Sequence, residues 1–361
     1  LKQSNNYIMK TMFKSLLAIT ALSLVLSSCG NGGTSKKGAQ GALSGSAAEK
    51  VYVAPGEHDE FYAFISGGFS GQLSVYGLPS GRLFKVIPVF SVDAEKAYGF
   101  NEETKALLNT SFGHIPWGDS HHPDISQTNG ELDGRWVFIN ENNTPRIAKI
   151  DLTTFETTEV IEIPNSAGNH SSSYVTENTE YVIAGTRFGV PVPQRDISIS
   201  EYKGNFKGTL SFLSVDPEDG EMDLSFQIMM PGFDYDKAHP GRGKSHGWFF
   251  FTTYNTEEAN SLLEVNASQN DKDFIAAVNW KKAEEYIKAG KFSTMKTKYA
   301  HNIYDEKTQM ATTKWVKEVR ILDPAELPGL VYFLPTPKSP HGCDVDPSGE
   351  YIVGSGKLSA D

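Results

Sequence analysis

Three short stretches of the sequence hold residue types with metal chemistry. The first is Trp117-Gly-Asp-Ser-His-His-Pro123, a histidine doublet bounded by glycine and proline. Imidazole nitrogens bind copper and zinc well. Neighbouring residues on a regular strand point to opposite faces, so His121 and His122 can serve one metal only where the chain is irregular. Gly118 and Pro123 supply that irregularity, and Asp119 is close enough to orient an imidazole as a hydrogen-bond acceptor. The second stretch is Ser166-Ala-Gly-Asn-His170, and the third is Lys338-Ser-Pro-His-Gly-Cys-Asp344; His170 and His341 each stand just ahead of a strand-like run. Three such motifs at comparable places in successive β-units would converge on one mouth of a fold and form a metal site. Read singly, each histidine is more readily a surface or core residue, and the doublet flanked by glycine and proline is what balances the two readings. His239 and His246, in the Gly-rich basic segment 238–247, read as part of a surface or interface loop, and His58, His114 and His301 are read in the same way. Cys343 reads as a small buried residue at a strand start. No nucleophile–base pair stands at a recognisable spacing, which weakens a hydrolase or lactonase reading.

The elements that must position these residues are β-strands. From Val51 onward, runs such as Gln72–Tyr76, Leu83–Pro88, Trp136–Ile139, Arg146–Asp151, Thr157–Ile163, Thr179–Ala184 and Gly208–Val215 alternate with turn signals, among them Asp216-Pro-Glu-Asp-Gly220. Short strands at this spacing point to a sandwich, a barrel or a propeller. Asp346-Pro-Ser-Gly-Glu-Tyr-Ile-Val353 repeats the pattern of Asp133–Phe138, and a unit of about 40–50 residues favours a propeller. One segment departs from this rule: Asn279–Ala289 has good helix formers and is ended by Gly290, which predicts a surface helix.

Composition narrows the class. The 361 residues are 39% hydrophobic, 21% charged and 11% aromatic, an ordinary globular balance. Lys and Arg total 33 against 44 Asp and Glu, a net charge of −11. An acidic chain is a poor nucleic-acid binder, because phosphate contacts need clustered cations. Two cysteines, Cys29 and Cys343, exclude a disulfide framework and a Cys-rich metal site. The N-terminus reads as an export signal with candidate starts at Met9 and Met12. Lys10 and Lys14 precede the eleven-residue apolar run Leu16–Leu26. That run is too short for a bilayer span of about 20 residues but suits a signal core. Leu26-Ser-Ser-Cys29 resembles a lipobox, with plain secretory cleavage as the alternative. Residues 30–50 read as a flexible tether, and the body from residue 51 to 361 is expected outside the cytoplasm, in the periplasm.

Gly118-Asp-Ser-His-His-Pro-Asp-Ile-Ser126, Asp133-Gly-Arg-Trp-Val-Phe-Ile-Asn140, Arg146–Ile150, Trp248-Phe-Phe-Phe-Thr-Thr-Tyr-Asn-Thr-Glu257, Asn270–Phe274, Pro337–Gly342 and Gly356–Leu358 stand in an order that closely resembles nitrous-oxide reductase. The resemblance runs from about residue 51 to the last residue and is nearest to the Sec-exported branch of that family. It implies an all-β fold, a seven-bladed β-propeller carrying CuZ, a sulfide-bridged tetranuclear copper cluster with seven histidine ligands. Four of these match His121, His122, His170 and His341. Ser120 stands where the family often has a cysteine that is not a ligand. A calcium site is also implied, with Tyr254, Glu257 and Asp273 as ligands and a backbone carbonyl near Ala267, where this chain is two residues longer. Ser339 stands where the family has an asparagine donor, and Asp271 reads as a neighbour of the site rather than a ligand.

Members of that family are much longer. Three cluster histidines and a C-terminal cupredoxin domain with CuA lie beyond the match, so the chain is expected to be a partial sequence whose propeller is incomplete. Taken alone it should bind copper poorly and reduce nothing. The family activity is the two-electron reduction of nitrous oxide to dinitrogen and water in denitrification. Electrons arrive from a cytochrome c or cupredoxin donor, and a homodimer places CuA of one subunit against CuZ of the other. The alternative from a different class is a non-catalytic, lipid-anchored propeller acting as a binding or assembly module.

Overall fold

The computed structural model describes residues 46–256, 274–336 and 340–356. The chain divides into two units, residues 1–52 and 53–361. The signal segment, Cys29 and the tether up to residue 45 lie outside the described residues. Of the first unit, a helical turn at Ala47–Lys50 is described. It is closed by a capping box in which the Glu49 N–H donates to Ser46 Oγ and the Ser46 N–H donates to the Glu49 carboxylate. No helix among the described residues is long and apolar enough to cross a membrane.

The second unit is all-β. Strands β1 (Phe61–Ser66), β2 (Gln72–Leu78) and β3 (Leu83–Pro88) form an antiparallel meander. A short hairpin of β4 (Asn109–Thr110) and β5 (Gly113–His114) follows. The next meander is β6 (Ser120–Thr128), β7 (Glu131–Glu141), β8 (Arg146–Asp151) and β9 (Glu156–Glu162). A third comprises β10 (Asn169–Val175), β11 (Tyr181–Thr186), the two-residue β12 (Val190–Pro191), β13 (Phe206–Val215) and β14 (Met222–Pro231), with β12 on the side of β13. A fourth begins with β15 (Phe233–Pro240), β16 (Trp248–Thr256) and β17 (Phe274–Asn279).

The chain then leaves that sheet. It forms helix α1 (Trp280–Lys288) and a long hairpin of β18 (Ser293–Asp305) and β19 (Met310–Leu322), and it returns as β20 (Val331–Pro335) to pair with β17. β21 (Pro340–Val345) and β22 (Ile352–Gly356) form the last described hairpin. Helix α1 starts where the sequence predicts, because the Asn279 side chain accepts the Lys282 N–H at 2.9 Å and so satisfies one free donor of the first turn.

The sheets stack in chain order, each strand sending alternate residues to the layers on either side. Phe249 and Phe251 face one layer with Phe212, Phe226 and Ile228, while Phe250 faces another with Cys343 and Val345. Val182 and Ala184 join the layer of Phe138 and Ile161, while Ile183 joins that of Phe249. Leu73, Val75 and Ile87 pack on Val137, Ile139 and Ala148. Each of these large side chains contributes about 1.5–3 kcal/mol by leaving water. The first strands of successive sheets lie side by side, β1 near β6, β6 near β10, β10 near β15 and β15 near β21. This radial order of antiparallel meanders fits a β-propeller.

The β18–β19 hairpin has no counterpart in the sequence reading. β18 pairs with β9 through His301, Asn302 and Ile303, and β19 pairs parallel with β14 through Ile321 and Leu322. It covers the outer strands of two neighbouring meanders, whose unpaired N–H and C=O groups would otherwise be open, and links both into one hydrogen-bonded path.

Candidate metal centre

The metal-bearing motifs sit on the first strands of three sheets, His121 and His122 on β6, His170 on β10 and His341 on β21; the sheet that begins with β15 stands between the last two, so the motifs do not lie on successive units throughout. The doublet problem is solved by a bulge. Ser120 pairs with Glu141 and Pro123 with Ile139, so β6 has one residue more than β7 across this interval. Both histidines occupy the extra length and turn to the same side. β10 repeats the device: Asn169 pairs with Thr186 and Ser172 with Ala184, and His170 lies in the bulge between them. Bulges of this kind re-aim side chains beside functional sites.

The bulges are pinned by buried polar groups. The Asn140 side chain on β7, fully buried, accepts the His122 N–H at 2.7 Å and donates to the Asn169 carbonyl at 2.6 Å, joining the two histidine strands. Ser173 Oγ donates to the His122 carbonyl. The start of β6 is fixed by a fully buried ion pair, with Arg146 Nε donating to Glu141 at 2.5 Å and Arg146 Nη1 to the Ile115 carbonyl at 3.1 Å. Gly118 is required here, since a Cβ on it would meet the Glu141 carboxylate at 2.2 Å.

The result is a group of three imidazoles. Ring centroids lie 4.4 Å apart for His121 and His122, 5.1 Å for His121 and His170, and 5.3 Å for His122 and His170. One nitrogen from each can be chosen so that all three lie within 4.8 Å of one another. Burial holds the rings neutral: it pushes His122 down to about 3 and His170 down to about 2, the neighbouring rings adding to the effect. His121 is lowered as well, chiefly by burial, against the opposing pull of Asp119. Neutral imidazoles are the form that binds metal, so protons do not compete for them near pH 7. Among the described residues, His122 Nε2 is a buried nitrogen without a hydrogen-bond partner, and His170 Nδ1 has none in alignment, its neighbour being Asp236 Oδ1 at 3.3 Å. A buried nitrogen left without a partner is costly, and an imidazole set of this kind suits a transition metal such as copper, zinc, iron or nickel.

His341 joins this centre only indirectly. Its Nε2 lies 3.6 Å from Asp236 Oδ2, and Asp236 Oδ1 lies 3.3 Å from His170 Nδ1, within electrostatic range though out of hydrogen-bond alignment. His341 is half exposed, and it stands outside the group of three. Asp236, fully buried on β15, is the residue that sequence reasoning missed. A carboxylate beside a ligating imidazole sets its tautomer and orientation. Beside His122, a cleft of about 420 Å³ opens between Asp124, Lys237, His239, Arg242 and Asp344. Burial raises Asp124 to about 7 against the N–H groups of Val175 and Ile125.

The other sequence expectations fare differently. Tyr254 lies on β16 but its side chain is not described, and Glu257, Ala267, Asp271, Asp273 and Ser339 lie outside the described residues. His301 is not in a surface loop: it is buried on β18 with Nε2 at 2.6 Å from Glu159. The hairpin folds over β9 and carries it inside. His246 sits between Glu177 and Glu180 at 3.2 and 3.0 Å, and His239 pairs with Arg242; neither belongs to the group of three. Cys343 is buried near the start of β21 as expected, and burial pushes its thiol up to about 12.

No family model matches the chain. Among curated proteins, it is 31% identical over 346 residues to the nitrous-oxide reductase of Pseudomonas fluorescens, covering 95% of this chain and 50% of that protein. The nitrous-oxide reductase of Stutzerimonas stutzeri is 30% identical over 314 residues, covering 86% and 45%, and that of Cupriavidus necator is 30% identical over 342 residues, covering 91% and 48%. Among solved structures, a chain of hydrazine synthase from Kuenenia stuttgartiensis is a distant likeness, with TM-score 0.42, 12% identity and coverage of 82% and 77%. The chain is thus related along most of its length to nitrous-oxide reductases, and it spans about half the length of the curated relatives it matches.

Proposed function

We propose that this chain is the N-terminal part of a copper-dependent nitrous-oxide reductase, and that its sheets are blades of a seven-bladed propeller. The carrying observation is the meeting of His121, His122 and His170 in one neutral group, partly or fully buried, in a chain related along most of its length to proteins of that name. These three residues would hold copper of a CuZ-type cluster, with His341 as the fourth ligand from this chain. Copper held there would supply the redox centre at which nitrous oxide, taking two electrons from an external donor and two protons, becomes dinitrogen and water. The protein's part is positional. Asn140 and the two bulges fix the imidazole directions, and the Asp236 carboxylate lies within electrostatic range of His170 and His341.

The wider assignment belongs to the same proposal: export to the periplasm, a lipid anchor at Cys29, a calcium site from Tyr254, Glu257, Ala267, Asp273 and Ser339, a small redox-protein donor, and a homodimer. The decisive experiment replaces His121 by alanine in the complete protein. Copper analysis and nitrous-oxide turnover should both fall to background. Retention of cluster copper and activity would defeat the assignment.

A further inference from the structure

The chain's charge is unevenly placed. Residues 280–322, which form α1 and the β18–β19 hairpin, carry ten Lys and Arg against five Asp and Glu, in a protein of net −11. Among the described residues, none of Lys296, Lys298, Lys314 and Arg320 has a carboxylate within the 4.0 Å of an ion pair, and all four side chains are exposed. Thr294 pairs with Arg320 and Lys296 with Glu318, so this end of the hairpin carries cations from both strands with one exposed carboxylate, that of Glu318, among them. Aromatic rings lie among them: Lys298 Nζ is 4.0 Å from the Trp315 ring centre, and the Arg320 guanidinium is 5.6 Å from that of Phe292. Trp315 is 40% exposed and Phe292 36%.

We propose that this end of the hairpin is a docking surface for a bilayer bearing anionic lipid. Cations alone would suit any acidic partner. Cations riding on half-exposed Trp and Phe rings suit a membrane interface better, because rings of this kind settle at the headgroup boundary while ammonium and guanidinium groups reach the phosphates. The expected export signal and the lipobox-like Cys29 put a bilayer within reach of the same chain. The inference is independent of the copper reading, since no residue of the histidine group takes part.

The test uses the full chain with Cys29→Ser, so that no acyl group contributes, and sedimentation with vesicles of phosphatidylcholine alone or with added phosphatidylglycerol. Binding is expected only with the anionic lipid and should weaken steeply with salt. Lys296→Gln, Lys298→Gln and Arg320→Gln together should lower the partition constant about a hundredfold, at about fivefold for each cation facing the surface. Trp315→Ala should lower it several-fold while leaving the salt dependence unchanged. These side chains are exposed, and an unchanged thermal midpoint verifies folding. Equal weak retention on both vesicle types overturns the proposal in favour of a protein partner, and anionic binding that survives the triple variant overturns it in favour of another face.

Discussion

Replacing Asn140 by alanine tests how the two histidine strands are held. The side chain accepts one hydrogen bond from β6 and donates one to β10, at 2.7 and 2.6 Å, in a fully buried position. Alanine leaves the His122 N–H and the Asn169 carbonyl without these partners. Each buried group left unsatisfied costs about 1–3 kcal/mol, so the loss should be about 3 kcal/mol in all. The same change frees both bulges, and mispositioned imidazoles should weaken copper binding by roughly 10–100-fold, as is usual when groups supporting metal ligands are removed. Asn140→Asp keeps the acceptor but sets a carboxylate against the Asn169 carbonyl, and should be no better than alanine. Urea unfolding gives the first quantity, and copper titration of the wild-type and variant chains gives the second. An alanine variant within 0.5 kcal/mol of wild type, with unchanged relative copper affinity, would refute the account of how these strands are joined.

Two further outcomes are expected. Arg146→Leu should destabilise by about 3–5 kcal/mol, because it leaves Glu141 as an uncompensated buried charge; adding Glu141→Leu should recover much of that in denaturant melts. Asp133 is held at about 2, its burial outweighed by hydrogen bonds from Ser126, Arg135 and Thr128. A depressed carboxylate stabilises the fold above its unfolded value near 3.8 and loses that contribution as pH falls toward 2. Asp133→Asn should therefore cost about 2 kcal/mol at pH 7 and flatten the stability curve between pH 4 and 2, which acid titration of urea midpoints would detect.

The strands and the helix were legible because their signals are local. Arg146–Asp151 alternates between two apolar layers, and Asn279 with Gly290 brackets α1. The histidine doublet announced its own irregularity through Gly118 and Pro123. What escaped was set by distant partners. Nothing near Asp236 or Asn140 distinguishes them from surface polar residues, and their meaning comes from His170 and His341 in one case and from two bulged strands in the other. The hairpin escaped for a similar reason. Its Lys- and Thr-rich strands carry little apolar signal, and a bulge between Lys296 and Tyr299 breaks the period of two. Its inner residues are buried only because β9 and β14 lie beneath, and His301 finds Glu159 only there.

That hairpin also governs the order in which the molecule can be completed. β9 ends at Glu162 and β14 at Pro231, yet the strands that seal their edges begin at Ser293 and end at Leu322. Closing so long a loop is entropically slow, so two sheets that are contiguous in the native state remain separate folding units until the hairpin arrives. Once it is seated, neither outer strand can fray without lifting the other's cover. Two adjacent sheets become a single cooperative unit, with hydrogen-exchange protection that rises and falls together.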